Sequence, residues 1–451
     1  MRVHFISIGG SAMHNLAIAL YKKGYHVSGS DDEFFEPSKS RLAKYGLLPD
    51  SIGWNPDKLS KEIDAVILGM HAKADNPELL KAQEMSLKIY SYPEYIYEQS
   101  KDKKRIVIGG SHGKTSITSM VLHVLNHQKM DFDYLVGAQL EGFETMVKLS
   151  EAPIIIIEGD EYLSSPIDRR PKFLWYKPQL AVISGIAWDH INVFPNFENY
   201  VKQFELFSNS ILDNGTLIYY NGDEELSRIA QKQGKRLSII PYKAQESKII
   251  DGKTILIDKN TTYEVEVFGE HNLQNIKAAY HICKEIGISS ENFYQSIQTF
   301  RGAAKRLEKI AESENLVVFK DYAHSPSKLK ATTAAVKKQF PDKKLTACME
   351  LHTFSSLNKK FLAEYSGSMS TADEAYVYYN PKTIAHKGLD SISKKDVEEA
   401  FLPSKVKVFD SSEKIIQNLK ERRWNNSVLL LMTSGNFDGV NLDEFACMLI
   451  P

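Results

Sequence analysis

Residues 105–116 read Arg-Ile-Val-Ile-Gly-Gly-Ser-His-Gly-Lys-Thr-Ser, and the reading of those glycines decides what kind of protein this is. Ile106, Val107 and Ile108 form an apolar run of strand type, Gly109 and Gly110 interrupt it, and a helix is predicted over 116–126. A strand, a glycine turn and a helix in that order are the setting a phosphate-binding loop requires. Glycines let backbone N–H groups turn inward around phosphate oxygens, and the helix N-terminus adds positive potential. Gly110, Ser111, His112, Gly113, Lys114, Thr115 and Ser116 are therefore the expected nucleotide loop. Lys114 would reach the β- and γ-phosphates, and Thr115 or Ser116 would offer a hydroxyl to Mg²⁺. The loop is one residue shorter between its glycines than the commonest form, unless Gly109 is counted. The alternative is a plain turn bearing a surface lysine.

A second glycine turn stands at the N-terminus. Gly9-Gly10-Ser11-Ala12-Met13-His14 follows an apolar run over 3–8 and opens a predicted helix over 12–23. A dinucleotide fingerprint would place glycine where His14 stands, yet Ser30 and Asp31 end the next predicted strand about twenty residues on, where a ribose-binding acid is expected. A nucleotide crevice and an unliganded βα turn both remain open on these residues.

Working outward, short β-rich apolar runs alternate with helical-period segments, the pattern of parallel α/β domains. Strands are predicted at 25–29, 65–68, 154–157, 180–184, 316–319, 345–349, 374–379 and 428–432, with a polar linker over 100–104. The 451 residues suit about three domains, and the boundaries expected are 1–102, 103–299 and 300–451. Fifty-six basic side chains against fifty-seven acidic ones argue against a nucleic-acid binder working by a broad basic face. Neither a signal peptide nor a run of ~20 apolar residues is seen, so a cytoplasmic protein without membrane contact is expected. Cys283, Cys348 and Cys447 lack metal-ligand spacing and are expected to be buried thiols in a reducing compartment.

Further motifs follow the phosphate loop in order: Glu158-Gly159-Asp160-Glu161-Tyr162, Trp188-Asp189-His190-Ile191-Asn192, Gly269-Glu270-His271-Asn272-Leu273-Gln274-Asn275, Lys305-Arg306-Leu307-Glu308 and Asp321-Tyr322-Ala323-His324-Ser325-Pro326. With them the chain resembles the Mur ligases, ATP-dependent amide-forming enzymes of peptidoglycan, over essentially its whole length. The resemblance implies three α/β domains: a Rossmann-like N-terminal domain, a central P-loop ATPase domain and a C-terminal Rossmann-like domain. It implies ATP and Mg²⁺ as cofactors, with Thr115, Glu158 and His190 at the metal. Lys114, His190 and Arg306 would be catalytic, and Asn272, Asn275, Arg306 and Asp321 would join the loop in binding ATP. The first domain would take UDP-N-acetylmuramate through Gly9, Gly10, Ser11, His14, Ser30, Asp31 and His71. A monomer or weak dimer is expected.

The acceptor is read from Asp160-Glu161-Tyr162 with Asp168-Arg169-Arg170-Pro171-Lys172-Phe173, which is similar to the branch that joins L-alanyl-γ-D-glutamyl-meso-diaminopimelate to UDP-N-acetylmuramate. Arg169, Arg170, His324 and Asn436 would then face the acceptor. The second reading within the family is L-alanine as acceptor. Glu350-Leu351-His352-Thr353-Phe354 stands where both branches carry an arginine, and no lysine stands at the position other Mur ligases carbamylate. Two readings from other classes stay beside these: a nicotinamide-dependent oxidoreductase joined to an ATPase-like domain, and a nucleotide-switch scaffold.

Overall fold

The computed structural model describes residues 1–70, 72–140, 142–188, 193–250, 252–302 and 306–450; His71, His190 and Lys305 lie outside the described residues. The chain forms two compact units, one from the described residues of 1–243 and 278–293, the other from those of 244–277 and 294–450.

The first unit holds two sheets. Strands β1 (Arg2–Ile6), β2 (His26–Ser30), β3 (Ala65–Leu68) and β4 (Ile89–Ser91) make a parallel sheet in the order β2-β1-β3-β4. The chain turns from β1 toward neighbours on both sides, so the Ser7–Gly10 turn lies at the switch point of the sheet, where α/β crevices open. β1 ends two residues sooner than its apolar run suggests, because Ser7 takes φ 71° and the N–H groups of Ser7 and Ile8 both turn to Ser30 O, at 2.9 and 3.1 Å.

The second sheet has seven strands: β5 (Lys104–Gly109), β6 (Asp133–Leu135), β7 (Val147–Lys148), β8 (Ile154–Glu158), β9 (Leu180–Ile183), β10 (Thr216–Tyr220) and β11 (Ser238–Tyr242). Their order is β11-β10-β9-β5-β8-β6-β7, all parallel except the β6–β7 edge pair. β5 and β8 are buried on both faces, which is why they read as unbroken apolar runs rather than alternating ones. Ser100 ends a helix begun at Tyr92 and β5 starts at Lys104, so the expected linker is a tight joint. Arg105, 2 % exposed, secures it by donating to the carbonyls of Ser100, Lys101, Lys103, Tyr176 and Lys177.

The second unit carries an antiparallel sheet not anticipated from the sequence, β12 (Ser247–Ile250), β13 (Lys253–Asp258) and β14 (Thr261–Val265). Its main sheet comprises β15 (Glu308–Glu312), β16 (Leu316–Asp321), β17 (Lys344–Leu351), β18 (Glu374–Tyr379), β19 (Val406–Phe409) and β20 (Ser427–Met432), ordered β15-β16-β20-β17-β18-β19. Only β15 runs antiparallel there. No helix among the described residues is long and apolar enough to cross a membrane. Cys283 and Cys348 are buried as expected, whereas Cys447 is exposed. Its helix, Leu442–Leu449, buries Phe445 and Ala446, which leaves the next residue on the outer face.

Candidate active site

The expected phosphate loop leaves β5 at the centre of the seven-stranded sheet. Gly110 has φ 128° and Gly113 φ 73°, backbone that favours glycine. A Cβ on Gly110 would overlap Ser184 Oγ and lie 2.8 Å from Ser184 N, so the close approach of β5 and β9 admits no side chain there. Gly113 caps the helix Lys114–His127, whose first turn carries no acidic residue against its N-terminal dipole.

Lys114 Nζ donates to Gly110 O at 2.7 Å and to Glu161 Oε2 at 2.6 Å. Burial works against its charge, but Glu161, with Asp160 and Glu158 behind it, outweighs that and raises the Lys114 pKa. Asp160 is only partly buried; desolvation works against its charge too, yet Lys172, 2.6 Å away, and Lys114 hold its carboxyl below the usual range. Glu158 ends β8; its Oε1 accepts from Thr115 Oγ1 at 2.7 Å and its Oε2 from Gly137 N at 2.8 Å. Thr115 and Glu158 thus put two hard oxygen donors side by side at the foot of the loop, the donor chemistry Mg²⁺ takes. Among the described residues no group of three or more His, Cys, Asp or Glu is gathered as for a metal, and His190 falls outside them.

Around the N-terminal turn the polar groups point inward. Asp31 Oδ2 accepts from Gly9 N at 2.7 Å and Oδ1 from Asp32 N at 2.9 Å. Burial pushes the Asp31 carboxyl up to about 6, against the two N–H groups that stabilise its charge. His14, 2 % exposed, donates from Nδ1 to Gly10 O at 2.9 Å, so its Nε2 accepts from Asn15 Nδ2 at 3.0 Å. Its ring is neutral by that geometry, and burial lowers its pKa. Ser30 is buried, with Lys58 Nζ 2.9 Å from its hydroxyl; Ser11 is exposed. Asn15 was not anticipated: it accepts from Met146 N at 2.9 Å and so ties the first helix to the strand edge of the larger sheet.

The two arginines of the basic segment part ways. Arg170 donates to both Asp168 oxygens, at 2.9 and 3.0 Å, and lies over the Trp175 ring at 4.2 Å, while Trp175 Nε1 also donates to Asp168. Arg169 is exposed.

In the second unit Asp321 ends β16, its two oxygens accepting from Leu307 N and Ala323 N, both at 2.6 Å. Arg306 lies over the Tyr322 ring at 4.6 Å, and His324 Nδ1 donates to Tyr322 O at 2.8 Å. These three predicted residues share one strand end. Asn272 Nδ2 donates to Phe268 O at 2.9 Å, with Asn275 one turn further along the helix Glu270–Glu285. Asn436 is exposed in a loop held from beneath by Glu350, which accepts from Thr433 and from Phe437 N.

Comparison with known proteins places these features in a frame. Three family models match in order: the Mur ligase family catalytic domain over 2–104, the Mur ligase middle domain over 108–283, and the Mur ligase glutamate ligase domain over 305–435. The UDP-N-acetylmuramate–L-alanine ligase of Caldicellulosiruptor bescii is 31 % identical over 386 residues, 83 % of this chain and 82 % of that one. Among solved structures, the UDP-N-acetylmuramate–alanine ligase of Thermotoga maritima has a TM-score of 0.72 at 20 % identity, covering 100 % of this chain and 98 % of that one. The murein peptide ligase of Psychrobacter arcticus has a TM-score of 0.64 at 21 % identity, with the same coverage.

Proposed function

We propose that this chain, which belongs to the Mur ligase family of ATP-dependent ligases, joins the carboxylate of UDP-N-acetylmuramate to L-alanine. What carries this acceptor over the tripeptide is the full-length likeness to L-alanine ligases, at 28–31 % identity over as much as 96 % of this chain. The geometry adds a reason: Arg170, one of two cations expected to greet an anionic tripeptide, is already neutralised by Asp168 and stacked on Trp175.

On this reading the sugar nucleotide occupies the 1–102 domain, ATP the 103–299 domain and the amine acceptor the 300–451 domain of a cytoplasmic enzyme. Backbone N–H groups of residues 110–116 cradle the phosphates, and Lys114 leaves Glu161 to meet the γ-phosphate as the muramyl carboxylate attacks phosphorus. Thr115 and Glu158 would hold Mg²⁺, which when bound would neutralise charge on the phosphate oxygens. ADP departs and an acyl phosphate forms. The unprotonated amine attacks its carbonyl, and collapse of the tetrahedral intermediate releases phosphate and the amide. Arg306 would supply positive charge for the phosphate.

A second reading keeps the tripeptide as acceptor, favoured by the exposed Arg169. The deciding experiment is phosphate release from ATP with UDP-N-acetylmuramate and Mg²⁺, offering L-alanine or the tripeptide. Release with L-alanine is expected. Release with the tripeptide alone would replace the first reading by the second, and release with neither would end both.

A further inference from the structure

One buried side chain outside the expected nucleotide contacts joins them together. Tyr200 lies on the helix Phe197–Ser210, fully buried, its ring against Phe194 and Phe204 at centroid distances of 5.3 and 5.2 Å. Its hydroxyl stands 2.9 Å from Glu161 Oε1 and 2.9 Å from Ser111 Oγ. A carboxylate only accepts, so the phenol donates to Glu161 and can take the Ser111 proton in turn. Ser111 Oγ then accepts from Ala187 N, 2.9 Å away. The chain therefore runs one way, from Ala187 through Ser111 and Tyr200 to Glu161. It ends on the carboxylate that holds Lys114 at 2.6 Å.

We propose that Tyr200 is a positioning residue for nucleotide binding, a role that rests on the reading of 110–116 as the ATP loop. The phenol does two things at once. It anchors Ser111, and with it the loop backbone, to a helix fixed by aromatic packing. It also draws off part of the Glu161 charge, so that Lys114 can exchange this partner for a phosphate. Removing the hydroxyl loosens the loop and leaves more of the Glu161 charge on Lys114, and both effects weaken the hold on the β- and γ-phosphates. Hydrogen bonds of this type strengthen one another within a buried chain, so the loss exceeds that of a single neutral contact.

The test is Tyr200→Phe, which keeps the ring and removes only the hydroxyl. Affinities for ATP, ADP and AMP are measured with Mg²⁺ by competition against a fluorescent ADP analogue, beside the melting temperature without nucleotide. ATP affinity is expected to fall about tenfold, the weight of one hydrogen bond to a charged group. ADP should lose less and AMP nothing, and the KM for ATP should rise more than kcat falls. Unchanged ATP affinity would overturn the proposal, as would equal losses for ATP and AMP, which a general loosening would give. Should Tyr200→Phe not fold, Ser111→Ala cuts the same chain from the loop side and must show the same graded loss. A wild-type protein that binds no ATP would overturn the nucleotide reading beneath it, an outcome distinct from a variant that matches a binding wild type.

Discussion

Residues 7–14 and 109–116 follow one plan, a parallel strand at a switch point, a glycine turn and a helix, yet the two turns dispose of their polar groups in opposite ways. In the first, Asp31 is spent on Gly9 N and His14 on Gly10 O, leaving a self-contained turn. In the second, Lys114, Thr115 and Glu158 are drawn together across β5 and β8, and the helix behind them starts with a lysine and no acid. The first turn can receive a ligand through its backbone and shape, whereas the second concentrates charge that a polyphosphate would compensate. Glycine spacing alone does not tell these apart; the destination of each donor and acceptor does.

The largest expected effect would break the comparison outright. Lys114→Ala should lower kcat for phosphate release about 10²–10³-fold while circular dichroism stays native, the scale of losing one preorganised cation. A smaller loss would mean that the charged turn is no more catalytic than the N-terminal one.

Paired glycine substitutions come next. Gly110→Ala meets Ser184 at φ 128° and should destabilise the protein by about 2 kcal/mol or more, read by denaturant unfolding, with loss of ATP binding. Gly10→Ala sits at φ −59°, its nearest neighbour atom 3.5 Å from the new methyl, and should stay within about 1 kcal/mol of wild type. Equal costs would show that the turns are built alike.

Thr115→Ala should raise the Mg²⁺ concentration for half-maximal activity about tenfold, in a titration at saturating ATP, since it removes one oxygen donor and the hydrogen bond that orients Glu158. Chelation of the metal should abolish turnover.

The smallest effect belongs to the N-terminal turn. Asp31 has a folded pKa of about 6, above its ordinary value of 3.8, so the native state prefers it protonated. The sign follows: its contribution to stability is full below pH 3.8 and is lost as pH rises through about 6. Urea unfolding of wild type and Asp31→Asn between pH 4 and pH 7 should show the variant's stability falling less over that window. Parallel pH profiles would remove Asp31 as the cause.

Much of the α/β plan was legible because strands buried on both faces read as unbroken apolar runs, as Ile154–Glu158 does. The antiparallel sheet of 247–265 was not, since its strands are half exposed and mixed in polarity. Within the candidate site, Lys114, Thr115 and Glu158 could be picked out because strand ends and glycine turns leave marks in local order. Tyr200 and Asn15 left none: each is an ordinary residue of a helix until folding sets Tyr200 beside Ser111 and Glu161, and Asn15 beside Met146.

The sequence by itself determined the class of fold, the order of the motifs and the positions where only glycine serves, since these depend on local backbone and on side-chain polarity. Tertiary structure alone decided which charges are spent and which remain available. Arg170 is consumed by Asp168 and Trp175, His14 is made neutral by its own helix, and Lys114 is held charged by carboxylates 44–47 positions away. The Lys114 pairing forms through space between strand ends, and burial sets its strength, so neither is written in the local order of residues.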